Sequence, residues 1–139
     1  MTLGPAAFAG VWQLQRQIID HLGQQSGQFE GTATLTDAGA GRLNYHETGT
    51  FLLHTGTRLQ AERRYLWVFG EDGVQMLFDD GRAFHDFVPA GQSDDIRHLC
   101  GADTYDVRYD FGGWPVWTVR WTVTGPRKDY VSFARYNRD

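Results

Sequence analysis

The chain has 139 residues and a formal net charge of −4. That length suits one domain, 1–139, with its own core, and the acidic balance excludes the basic stripe of a general nucleic-acid binder. Aromatic residues make up 14% of the chain, and rings in that abundance fit pleated, half-buried surfaces.

Period-two alternation, broken by turn residues, dominates the chain. Residues 11–20 put Trp12, Leu14, Arg16 and Ile18 on one face and glutamines on the other. Residues 28–36 follow, with Phe29, Gly31, Ala33 and Leu35 together and a turn at 37–41. Residues 42–54 align Leu43, Tyr45, Glu47, Gly49, Phe51 and Leu53, and Thr55-Gly56 turns the chain. Residues 58–69 align Leu59, Ala61, Arg63, Tyr65, Trp67 and Phe69 before the hairpin signal Glu71-Asp72-Gly73.

Val74, Met76 and Phe78 define a fifth strand, and Asp79-Asp80-Gly81 a further turn. Residues 82–88 read as a short strand whose inner face is ambiguous. The segment 89–95 is the longest polar loop, followed by a strand at 96–100. Residues 104–111 align Tyr105, Val107, Tyr109 and Phe111, and residues 116–124 align Trp117, Val119, Trp121 and Val123. Residues 130–136 close the chain, with Val131, Phe133 and Arg135 as the expected inner face.

Ten strands joined by short turns pair with their neighbours. The expected fold is all-β, an antiparallel up-and-down barrel of eight to ten strands, because closure removes exposed edges. A two-sheet sandwich is the alternative; no long crossover favours it. One cysteine, Cys100, permits no internal disulfide. No signal peptide or apolar span is evident, so the expected location is the cytoplasm.

Gly10-Val11-Trp12 resembles the Gly-x-Trp opening of lipocalins and their calycin relatives. That resemblance implies a Trp that plugs one barrel end and stacks on an arginine of the last strand, here Arg135. The segments Arg63–Trp67, Phe78–His85, His98–Tyr105 and Gly125–Tyr130 are similar to a small bacterial and fungal domain family of unknown function. It implies a shared fold and no activity.

The chemistry-bearing candidates are charges that alternation points inward. Arg16, Glu47 and Arg63 share faces with Leu, Phe and Trp, and a charge in low dielectric needs a partner. With Tyr45, Tyr65, Tyr105 and Trp117 they suggest a partly polar pocket for a small apolar or aromatic acid, held by arginine. A Glu47–Arg63 structural pair is the bland alternative. An enzyme on the same barrel would use Glu47, Tyr65 and Arg63, if burial raises the Glu47 pKa. An interaction module with a side-chain-filled interior is a third possibility. His98 and Cys100, with His85 nearby, lack a fourth ligand and paired-cysteine spacing, so no metal and no cofactor is expected. Oligomeric state is not legible.

Overall fold

The computed structural model describes residues 2–93 and 96–138; Asp94 and Asp95 of the expected polar loop lie outside the described residues. A single helical turn, α1 (Pro5–Phe8), precedes ten strands: β1 (Gly10–Asp20), β2 (Gln25–Gly39), β3 (Arg42–Leu53), β4 (Arg58–Gly70), β5 (Gly73–Phe78), β6 (Ala83–Phe87), β7 (Ile96–Cys100), β8 (Asp103–Asp110), β9 (Trp117–Gly125) and β10 (Lys128–Asn137). All ladders are antiparallel, and the sheet order is β6-β5-β4-β3-β2-β1-β10-β9-β8-β7. The first and last strands pair, so the meander bends into a nearly closed up-and-down barrel, as the alternation predicts. No helix among the described residues is long and apolar enough to cross a membrane.

The one break in the ring lies between β6 and β7, which are the two ends of the sheet. Side chains close it. His85 Nε2 lies 2.7 Å from the Tyr109 hydroxyl, Phe87 stacks on Tyr109 at 4.1 Å, and Phe84 meets His98 edge-on at 5.2 Å. Further along the seam the backbone of Gly91 and Ser93 bonds to Phe111 and Tyr109. The unpaired edge of a sheet is thereby covered rather than exposed. A register shift between Met76 and Leu77 puts both Phe84 and His85 inside. That irregularity explains why alternation leaves the inner face of β6 ambiguous.

α1 caps one end of the barrel. The Phe8 ring meets Trp67, Trp114 and Trp117 at 5.3, 5.0 and 5.7 Å, and the Trp12 indole donates to the Phe8 carbonyl at 2.9 Å. The expected plug by Trp12 is therefore present, but its arginine is a different one. Arg138 lies over the Trp12 ring at 4.0 Å and donates to the Ala7 and Ala9 carbonyls. Gly10 has φ 125° beside it, a backbone that favours glycine.

Arg135 points outward, which corrects the expected face of the last strand. β10 pairs with β1 so that Arg16 faces Ala134, Leu14 faces Tyr136 and Ile18 faces Ser132. Residues opposite one another share a sheet face, so Ser132, Ala134 and Tyr136 point in. Phe133 is left 44% exposed. The turn expected at 37–41 also shortens, because β2 runs to Gly39 through an irregularity at Asp37.

Candidate functional site

Strand register places Glu47 directly opposite Arg63, and Tyr45 opposite Tyr65. A Glu47–Arg63 structural pair is the bland alternative that alternation leaves open. The carboxylate instead bonds to Arg16 through both guanidinium nitrogens, Nη1 to Oε2 at 2.6 Å and Nη2 to Oε1 at 3.0 Å. Arg16 is on β1 and Glu47 on β3, so the pair crosses β2. Arg16 faces Phe29 and Glu47 faces Ala33, and Gly31 lies between them. At Gly31, β2 and β3 approach so closely that there is no room for a side chain. A Cβ there would collide with the Thr48 carbonyl.

Two tyrosines complete the network. Tyr45 donates to Glu47 Oε1 at 2.6 Å. Its hydroxyl lies 2.6 Å from that of Tyr136; with the Tyr45 proton committed to the carboxylate, Tyr136 is the donor. Burial by itself would raise the Glu47 carboxyl, but the Arg16 hydrogen bonds and charge outweigh it and hold the pKa below the usual carboxylate range. The condition on which the enzyme alternative depends, a raised Glu47, is thus not met. Burial pushes Tyr136 up to about 12, with the Arg16 charge only partly opposing it, and burial raises Tyr45 well above 10.0. Glu47 is therefore a fixed anion and the tyrosines are fixed neutral donors.

Arg63 lies on β4 away from the end that α1 caps and is half-buried. Its guanidinium lies over Trp121 at 5.4 Å, and it makes no ion pair among the described residues. The surrounding surface is aromatic. The Phe84 ring sits 6.0 Å from Tyr65, 5.7 Å from Tyr105 and 5.2 Å from Trp121. Burial raises the Tyr65 hydroxyl, and the Arg63 charge partly offsets this. At the rim, Lys128 Nζ donates to the Tyr105 hydroxyl at 3.3 Å and lies 3.2 Å from Asp103.

Trp117 belongs to the closed end. It stacks on Tyr136 at 3.8 Å, nearly parallel at 2°, and reaches the Phe8 plug. Thus the seven candidates divide into a deep group (Arg16, Tyr45, Glu47, Trp117) and an outer group (Arg63, Tyr65, Tyr105). Between them the free interior is about 20 Å³, lined by Glu47, Tyr65, Trp67 and Trp117 among others. That is about the room of one water. Arg63 is not part of its lining, and this space among the described residues is too small for an organic ligand.

Sequence reasoning misses Phe84, Trp67 and Tyr136 as site residues. Phe84 is hidden by the β6 irregularity and Tyr136 by the β10 face, while Trp67 reads as core. His98 is half-buried, Cys100 is exposed and His85 is buried. Burial and the neighbouring His98 push the His85 imidazole down to about 3. No group of three or more His, Cys, Asp or Glu side chains converges among the described residues.

Two solved structures share the fold. The S-type phycobiliprotein lyase CPES from Guillardia theta superposes with a TM-score of 0.65 at 10% identity, covering 97% of this chain and 90% of that one. A protein of unknown function from the DUF3598 family of Nostoc punctiforme PCC 73102 gives 0.60 at 10% identity, covering 97% of this chain and 48% of that one. No curated protein matches the chain. Residues 8–138 match a family of unknown function, DUF6314. The match spans nearly the whole barrel, from the Phe8 plug to the Arg138 that stacks on Trp12, and the chain belongs to the DUF6314 family.

Proposed function

We propose that this barrel binds a small organic acid with an aromatic or apolar body at the Arg63–Trp121 side of its interior, with Arg63 as the anchor for the acid. One observation carries the reading. Arg16 takes both Glu47 oxygens through two hydrogen bonds, so Arg63, though it feels the Glu47 charge across the strand pair, has no ion pair of its own among the described residues and lies against aromatic walls. A guanidinium offers a carboxylate two parallel donors, and Trp121, Tyr65 and Tyr105 offer ring faces to the rest of the ligand.

The body of the ligand takes the place of the Phe84 ring. That ring sits on β6, a five-residue strand with a ladder on one side only, so moving it disturbs few backbone bonds. The neighbour named as a phycobiliprotein lyase lends fold-level analogy alone.

A catalytic role for Glu47 is the weaker reading, since its carboxyl is held below the usual range and in two hydrogen bonds to Arg16. The test is a thermal-shift panel of aromatic carboxylates and their uncharged amides. Carboxylates should raise the melting temperature of the native protein, amides should not, and Arg63→Met should melt normally but lose the shift. Equal shifts in Arg63→Met would overturn the assignment.

A further inference from the structure

We propose that the indole N–H groups of Trp67 and Trp117 form a hydrogen-bond acceptor site at the inner end of the barrel. In the free protein it holds one water; in the complex it holds a neutral acceptor atom at the inner end of the ligand. The second half rests on the acid-binding reading above.

Both Nε1 atoms are buried without a hydrogen-bond partner, and both residues are 1% exposed. An indole N–H only donates, and leaving a donor unmet in the interior is costly. The third buried indole shows the contrast: Trp12 donates to the Phe8 carbonyl at 2.9 Å. Where a backbone acceptor is in reach, this fold uses it. Trp67 and Trp117 have none, but both rings line the cavity of about 20 Å³. A polar cavity of that size takes one water and no organic molecule.

The rings cannot easily turn away. Trp117 is stacked on Tyr136 at 3.8 Å and Trp67 on Tyr45 at 5.8 Å, while the two indoles lie 5.9 Å apart, centre to centre. Two of the hydroxyl protons that line it are already used, Tyr45 on Glu47 and Tyr136 on Tyr45. Of the side chains that line the cavity, Trp67 and Trp117 are the two that bring a buried donor with no partner among the described residues. Glu47, an anion, lines the same space, so a second carboxylate is disfavoured there. The matching ligand is a monocarboxylate with a neutral oxygen acceptor, such as a ketone, at its far end.

Two measurements on the full chain test this. With ¹⁵N-labelled tryptophan, the indole N–H signals of Trp67 and Trp117, assigned through Trp67→Phe and Trp117→Phe, should show cross-relaxation to a long-lived water. No such water at either indole overturns the site. Binding of 3-phenylpropionate is then compared with that of 3-(4-acetylphenyl)propionate. The acetyl compound should bind about tenfold more tightly, displace the water signal, and lose its advantage in either Phe variant. Equal affinity for the two acids refutes the inner-acceptor role while leaving acid binding intact. If neither acid binds, the acid-binding reading and the ligand half of this proposal both fall, and the water signals alone decide the site. Should a Phe variant fail to fold, the comparison of the two acids on unaltered protein still decides the inner-acceptor role.

Discussion

Arg16 and Glu47 meet through two hydrogen bonds of 2.6 and 3.0 Å, across a strand that contributes a glycine between them. Both side chains are buried. Removing one partner strands a charge in low dielectric, so Arg16→Met should cost about 3–5 kcal/mol. Replacing both, Arg16→Met with Glu47→Leu, should be neutral or stabilising, because two desolvated ions are exchanged for packing. Urea midpoints of the single and double variants decide this. The pair also sets acid sensitivity. The Glu47 carboxyl is lower in the fold than its ordinary value of 4.5, so its contribution is present above that pH. It is lost as the pH falls through the folded value. The double variant should lose less stability than the native protein below that point.

His85 predicts a second pH dependence with a different window. Burial lowers its imidazole from 6.5 to about 3, so between those values the unfolded chain binds a proton that the folded chain refuses. Stability is therefore full above 6.5 and declines as the pH falls, by about 1.4 kcal/mol per pH unit for one such group. His98, also lowered by burial, acts in the same direction. His85→Phe should flatten the slope of denaturation free energy between pH 6 and pH 4, about the range the two values bracket. An unchanged slope would show that His85 titrates normally in the fold.

The plug at the closed end distinguishes two arginines. Trp12→Ala should cost about 3–5 kcal/mol as a buried aromatic truncation. Arg138→Met removes a cation held 4.0 Å from that ring and two hydrogen bonds to carbonyls beside it, and should cost about 1–3 kcal/mol. Arg135→Met, on the outer face, should stay within about 0.5 kcal/mol of the native protein. A larger loss for Arg135 than for Arg138 would reverse the assignment.

Much of this barrel is legible because side-chain direction in a strand has a period of two and needs only local residues. Alternation alone places Trp12, Arg16, Tyr45, Glu47, Tyr65 and Trp117 on inner faces, and turn residues separate ten strands close to their observed bounds. Where the period misleads, both faces of a strand are plausible: on β10, Val131, Phe133 and Arg135 look no less suited to the interior than Ser132, Ala134 and Tyr136. Pairing with β1 chooses the second set, because opposite residues must share a face.

Partnership is beyond local pattern altogether. Arg63 sits opposite Glu47 on the neighbouring strand, yet the carboxylate goes to Arg16 two strands away. Gly31 stands on the strand between Arg16 and Glu47. The same closure brings two indoles to one small cavity and leaves Arg63 over Trp121. Inner and outer faces follow from sequence except on β6 and β10; which inner groups touch, and how much space they leave, follow from strand register and the radius at which the sheet closes.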